Sequence, residues 1–243
     1  EVWVPSVVCP LIRVADRVDS IARVALDGLG LPGREPPPAL LDKLRNFDSV
    51  ISWYGANRDE FRAAVAALDL PFQFLPALPD GGGTHAADYY AAQAKSITGR
   101  EGGAVPRIPC PASPGNYAVI HPFSGSAKKN WPLDGFRKVA SRLEEQMPVH
   151  WCAGPEEELE AATRFENLYQ LACWLASAAV YIGNDSGITH LAAAAGVPVL
   201  ALFGPTDPRV WAPRGEKVKI LPFEGTRPED VLAAVNEIRR PPE

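Results

Sequence analysis

Residues 180–213 read VYIGNDSGITHLAAAAGVPVLALFGPTDPRVWAP. A β-branched apolar run at 180–182 meets G-N-D-S-G, then an alanine-rich stretch, then a second apolar run at 197–203 that stops at F-G-P-T-D-P. Strand, helix and strand in that order form a βαβ unit, and continuous apolar runs mark parallel strands buried on both faces. Polar residues follow each strand and so fall at the carboxyl edge of the sheet, where open α/β folds bind ligands. The helix that opens at Asp185-Ser186-Gly187 offers unpaired N–H groups and the positive end of its dipole, which favour an anion such as a phosphate.

The same alternation extends outward. Strands are expected at 117–121, 149–152 and 218–221. Helices are expected from Trp131-Pro132, shortly after G-P-E-E-E at 154–158, at 167–177 and at 227–239. Pro132 suits a first helical turn, where its missing N–H would be unsatisfied anyway. The first half alternates strands at 1–4, 20–26, 48–53 and 72–75 with helices at 5–14, 39–45, 56–68 and 84–96, and 28–38 forms a Gly- and Pro-rich loop. The aperiodic stretch 97–116, ITGREGGAVPRIPCPASPGN, reads as a linker. Two parallel-sheet α/β domains follow, at 1–105 and 116–225, with a closing helix in 226–243. Because the sequence opens directly in a strand, the first domain is expected to lack its own first strand here.

A formal charge of −5 gives no electrostatic reason to bind nucleic acid or an anionic membrane surface. No apolar run approaches the ~20 residues of a membrane span; the nearest, 191–203, is split by Gly196 and Pro198. Four cysteines without C-x-x-C spacing suit reduced core thiols and a cytoplasmic location. Four histidines show no zinc-ligand spacing. P-loop, dinucleotide-binding and nucleophile-elbow motifs are all absent, which sets aside those enzyme classes.

Four loops, 121–130, 154–157, 183–190 and 204–208, would gather on one sheet edge. Ser124, Gly125 and Ser126 supply hydroxyls and N–H groups, and Lys128 and Lys129 supply cations, a set that suits a diphosphate. One of the two lysines is expected to be a solvated residue. Glu156 offers a carboxylate for ribose hydroxyls. Asp185 is either a helix cap, worth about 1 kcal/mol, or a sugar ligand; Asn184, Asp185 and Ser186 compete for one cap, which favours the ligand. His190 is either a core histidine or a donor to phosphate or sugar. Trp131 is expected to pack at its helix entry, and Gly204 to let backbone approach a ligand closely. Trp211 and Arg214 read as wall or surface; Trp53, Tyr54, Asn57 and Arg58, which follow a strand of the first half, either face a cleft or form a surface loop.

The strings IHPFSGSAKKNWP (120–132) and YIGNDSGITHLAAAAGVPVLALFGPTDP (181–208) resemble glycosyltransferase family 9, the ADP-heptose:lipopolysaccharide heptosyltransferases. The resemblance is strongest over 117–214. It implies a GT-B fold of two Rossmann-like domains facing across a cleft, with the nucleotide sugar on the second, the acceptor on the first, and the closing helix packed back toward the first. It also implies an inverting, metal-independent transfer of heptose from ADP-heptose to an inner-core lipopolysaccharide acceptor. No cofactor beyond the donor is implied, and the site of action would be the cytoplasm, with peripheral contact at the inner membrane face. A relative using another nucleotide sugar or surface glycan, or a non-catalytic nucleotide-sugar binder, is the alternative. By motif, Ser124, Gly125 and Ser126 match the donor-phosphate loop. Lys129 matches the phosphate-binding lysine that stabilises the leaving group, and Glu156 the ribose ligand. Asp185, Ser186, Gly187 and His190 match the D-[ST]-G-x-x-H signature that holds heptose and diphosphate. The family's proposed general base, an Asp in a G-x-x-G-D loop, has no counterpart in these residues; Asp16 and Asp19 lie in a different loop.

Overall fold

Parallel pairing of short apolar strands organises the chain. The structure is a computed structural model that describes residues 1–79, 81–111 and 113–240. Contacts divide the chain into two compact units after Gly82.

In the first unit, β1 (Val2–Val4) pairs parallel with β2 (Val18–Ser20). After α1 (Pro38–Arg45), β3 (Val50–Ser52) leads through α2 (Asp59–Ala67) to β4 (Phe72–Phe74), its parallel partner. The two pairs are separate sheets. A cavity of about 480 Å³ lies between β1 and β3, lined by Val2, Trp3, Val4, Val50 and Ile51 among others. Leu26, Leu29, Leu40, Leu44, Phe61, Val65 and Leu70 form the core of this unit.

Two expectations here are corrected. The strand predicted at 20–26 ends at Ser20: the Ser20 hydroxyl accepts the Arg23 N–H at 3.3 Å and Ala25 turns left-handed at φ 61°. Those two local features convert an apolar run into a turn. The helix predicted at 5–14 is only a three-ten turn, Ser6–Leu11, interrupted by Pro10, which lacks the N–H an α-helix would use.

The second unit begins with α3 (Ala86–Thr98) and continues with β5 (Ala118–His121), α4 (Leu133–Glu144), β6 (Val149–Trp151) and α5 (Leu168–Ala176). Next come β7 (Val180–Asn184), α6 (Gly187–Ala195), β8 (Val199–Phe203), α7 (Pro208–Trp211), β9 (Val218–Pro222) and α8 (Pro228–Ile238). The five strands form one wholly parallel sheet in the order β6-β5-β7-β8-β9. Every residue of β5, β7 and β8 is buried, and Ile120, Ile182, Leu200 and Leu202 anchor the main core with Phe136, Val139 and Leu143 of α4. Each such side chain contributes roughly 1.5–3 kcal/mol by leaving water. Gly196, at φ 89°, ends α6 in a conformation that an L side chain resists.

The unit boundary falls ahead of the expected linker at 97–116, because that stretch lies against the second unit. Ile108 donates to the Ala194 carbonyl at 2.8 Å, Tyr169 reaches the Pro109 carbonyl at 3.0 Å, and Arg107 pairs with Glu216 at 3.0 Å. Within it, Ala112 lies outside the described residues. No helix forms after G-P-E-E-E; the segment is a loop returned to the sheet by a Cys152–Thr163 bridge. In α8, Val231, Ala234 and Val235, spaced i, i+3, i+4, bury the apolar face in the second unit's core beside α4. Residues 241–243 of that expected closing segment lie outside the described residues.

Candidate functional site

The carboxyl ends of β6, β5, β7 and β8 are neighbours, so their exit loops meet at one edge. The chain leaves β5 for β6 on one side and returns as β7 on the other, the switch point at which an open α/β sheet forms a binding crevice.

Asn184, at the end of β7, is fully buried and clasps both ends of the β5 exit loop. Its Nδ2 donates to the Pro122 carbonyl at 2.7 Å and its Oδ1 accepts the Trp131 N–H at 2.9 Å. Inside the loop, the Ser124 hydroxyl lies 2.7 Å from Asn130 Oδ1 and 2.8 Å from the Ser126 carbonyl. That hydroxyl therefore shapes the loop as well as facing its edge. Gly125, Ser126 and Lys128 are exposed, and a Cβ at Gly125 would meet nothing within 4 Å. Trp131 is buried, edge-on to Phe136 at 5.1 Å, the packing role expected of it.

Lys129 extends to Asp185, with Nζ 2.7 Å from Oδ2; the lysine side chain is 34% exposed and the aspartate 6%. Ser186, not Asp185, caps α6, its Oγ accepting the Thr189 N–H at 3.3 Å. Asp185 instead donates its N–H to the Leu202 carbonyl at 3.0 Å and keeps its carboxylate for Lys129. The Gly187 and Ile188 N–H groups, in the first turn of α6, precede any in-helix partner. Space above Gly187 is open. A lysine Nζ and a free helix N-terminus at one edge suit an anion.

His190 follows one turn later. Burial lowers its basicity; the Asp185 charge opposes that, and His85 and Lys129 add to it, so the ring sits below the ordinary histidine value. That direction favours the neutral ring near pH 7. With His85, Tyr90, Trp211 and Arg214 it lines a cavity of about 540 Å³. His85 fixes one wall: its Nδ1 accepts the Ala87 N–H at 3.1 Å, so Nε2 carries the proton given to the Ala212 carbonyl at 2.9 Å. Arg214 is tied to Asp88 at 2.6 Å.

At the β6 exit, the expected ribose ligand Glu156 is exposed, whereas its neighbour Glu157 turns inward. Glu157 Oε2 takes the Gly154 N–H at 2.6 Å and His121 Nε2 at 3.1 Å. Burial raises the Glu157 carboxyl, but those two hydrogen bonds and the His121 and Arg164 charges outweigh it and hold the group below the usual glutamate value. Arg164 binds the carbonyls of Gly154, Glu157, Leu159 and Ala162 at 2.7–3.3 Å and so organises the loop. Burial, then the Glu157 charge, pushes the Cys152 thiol up to about 12, so it stays protonated. Cys110 is likewise raised to about 12 by burial and by Cys173 beside it.

A Cβ on Gly204 would fall 1.9 Å from the Phe223 ring, so internal packing by itself calls for glycine here. In the first unit, Arg58 donates to the Tyr54 hydroxyl at 2.6 Å, while Trp53 and Asn57 are exposed. Asp16 is exposed and Asp19 is paired with Arg23 at 2.6 Å. Among the described residues no group of three or more His, Cys, Asp or Glu could hold a metal ion. No described helix is long and apolar enough to cross a membrane.

A parallel sheet with cationic and helix-terminal groups at its switch point defines a Rossmann-like unit for an anionic ligand. The model for glycosyltransferase family 9 (heptosyltransferase) matches residues 83–230, and the chain belongs to that family. Lipopolysaccharide heptosyltransferase 3 of Escherichia coli K12 is 32% identical over 123 residues, 42% of this chain and 35% of that protein. Lipopolysaccharide heptosyltransferase 1 of Pseudomonas aeruginosa is 37% identical over 111 residues, 40% of this chain and 31% of that protein. These matches thus span about a third of the curated relatives' length. In structure, E. coli heptosyltransferase WaaC with ADP aligns over 97% of this chain and 89% of its own at TM-score 0.71 and 18% identity. A family 9 glycosyltransferase from Veillonella parvula aligns over 98% and 87% at TM-score 0.73 and 15% identity. The fold is therefore α/β of the GT-B type.

Proposed function

We propose that this chain carries the donor site of an inverting heptosyltransferase, which moves heptose from ADP-heptose to an inner-core lipopolysaccharide acceptor without a metal ion. The observation that carries the proposal is the Lys129–Asp185 pair at the open N-terminus of α6, on the switch point of the sheet. The relatives' names support heptose as the sugar, and WaaC with ADP supports the nucleotide.

In this reading the diphosphate lies between Lys129, the 124–126 loop and the Gly187 N–H. The ribose faces the 154–157 loop. Asp185, Ser186 and His190 stand where the sugar joins the phosphate. Lys129 and the helix terminus stabilise negative charge as ADP departs from the anomeric carbon, which is preorganised electrostatic catalysis. Asp185 keeps the ammonium group in place. An inverting displacement also needs a carboxylate to take the acceptor's proton, and none of the residues discussed is assigned that task. The reaction belongs on the cytoplasmic side of the inner membrane, where a peripheral encounter with the acceptor is sufficient.

The test is ADP release from ADP-heptose in the presence of a heptose-free inner-core acceptor, with UDP-sugars as competing donors. Release with ADP-heptose, accompanied by a heptosylated product, supports the proposal. Turnover with a UDP-sugar alone, or ADP binding without any transfer, contradicts it.

A further inference from the structure

We propose that His121 is a positioning residue for nucleotide recognition: it fixes Glu157, rather than Glu156, so that one carboxylate oxygen faces a ribose hydroxyl. This rests on the donor-site reading above.

His121 ends β5, and its side chain is 3% exposed. Its Nε2 and the Gly154 N–H both address Glu157 Oε2, at 3.1 and 2.6 Å. Both donors converge on a single oxygen. Glu157 Oε1 has no hydrogen-bond partner among the described residues, while the side chain remains 26% exposed. A carboxylate pinned through one oxygen presents the other in a fixed direction, and a sugar hydroxyl is a matching donor. Glu156, next in the chain, is exposed and has no comparable anchor.

The other ring nitrogen supplies an independent observation. His121 Nδ1 is buried without a hydrogen-bond partner. An orphaned buried polar atom is costly, and a phenyl ring of similar size would avoid the cost. The histidine is therefore poorly explained as core filling. Its Nε2 contact with Glu157 is what a phenyl ring could not provide. Four hydrogen bonds from Arg164 to the loop carbonyls hold the remainder of the loop, so His121 need only orient the carboxylate.

Calorimetry on the full chain with ADP and with 2′,3′-dideoxy-ADP separates the possibilities. The unaltered protein should prefer ADP by about tenfold, the scale of one hydrogen bond to a charged group. His121→Phe and Glu157→Gln should each bring the ratio close to one while diphosphate binding persists. His121→Gln, whose amide N–H can take the place of Nε2–H, should restore part of the preference, and Glu158→Gln should leave it intact. A histidine with only a structural role would lower the melting temperature and leave the ratio unchanged, which would overturn the proposal. Loss of preference confined to Glu156→Gln would overturn it too. Should His121→Phe fail to fold, His121→Gln decides: a preference between that of the unaltered protein and that of Glu157→Gln is expected, and an unchanged ratio overturns the proposal. If the unaltered protein binds both nucleotides equally, only this inference fails; if it binds neither, the donor-site reading fails with it.

Discussion

Replacing Lys129 by Met removes the cation from a nearly buried aspartate, and the consequences for folding and for turnover should separate. Removing one partner of a fully buried ion pair costs about 3–5 kcal/mol, and an exposed pair is worth about 0–1 kcal/mol. Here the aspartate is 6% exposed and the lysine 34%. The expected loss lies between those limits, about 2 kcal/mol, reduced by the positive end of α6, which still faces Asp185. Asp185→Asn should cost less, about 1 kcal/mol, because the freed ammonium can reach water. The double variant Lys129→Met/Asp185→Asn leaves neither charge stranded and should be more stable than the sum of the single losses by about 1 kcal/mol or more. Urea unfolding followed by tryptophan fluorescence measures each value, with an unchanged slope as the check on two-state behaviour. Turnover behaves differently: losing a preorganised charge at the leaving group costs about 2.7–4 kcal/mol of barrier, a fall in kcat of about 100- to 1000-fold. The double variant should regain stability and remain slow. Additive stability losses would refute the pairing, and a double variant with restored kcat would refute the catalytic role of Lys129.

Other outcomes follow from the same geometry. His190 has a depressed basicity when folded, so below pH 6.5 the unfolded chain takes up a proton that the folded chain resists; stability is full above pH 6.5 and falls as pH drops toward the folded value. His190→Gln should remove that part of the slope in urea midpoints measured across this window. Gly204→Ala should cost about 1–3 kcal/mol by overpacking against Phe223, and Phe223→Leu should recover part of it in the same assay. Ser186→Ala should cost about 1 kcal/mol, the value of a lost cap, while Asp185→Asn leaves the cap in place; a cap-sized loss for Asp185→Asn that vanishes in the Ser186→Ala background would contradict this assignment.

What the sequence conveys depends on whether a feature is local. The strands β7 and β8 are legible because their continuous apolar runs are bounded by glycine and proline; Asp185 and the α6 terminus follow from their place after β7, and Lys129 from its place after β5. Residues 20–26 carry a similar apolar pattern, yet a serine hydroxyl and one left-handed alanine turn the chain, and neither leaves a mark in the hydrophobic pattern. Three consecutive glutamates at 156–158 are equivalent as text; only the positions of His121 and Gly154 single out Glu157. Asn184 reads as one of three competing caps, whereas its clasp on residues 122 and 131 depends on partners brought together by the sheet. Arg164 gives no signal, since its hydrogen bonds go to backbone carbonyls. A proline- and glycine-rich stretch reads as a linker even where, as at 107–109, it is tied to the second unit through Ile108 on Ala194, Arg107 on Glu216 and the Pro109 carbonyl on Tyr169. The closing helix shows the opposite case: its i, i+3, i+4 valines and alanine identify a buried face but not which core receives it.

A crystal structure of the full chain with ADP would test the donor site most directly. The β-phosphate should lie within hydrogen-bond distance of Lys129 Nζ and the Gly187 N–H, with the ribose against the 154–157 loop. ADP bound elsewhere, or its diphosphate turned away from Lys129 and α6, would contradict the assignment.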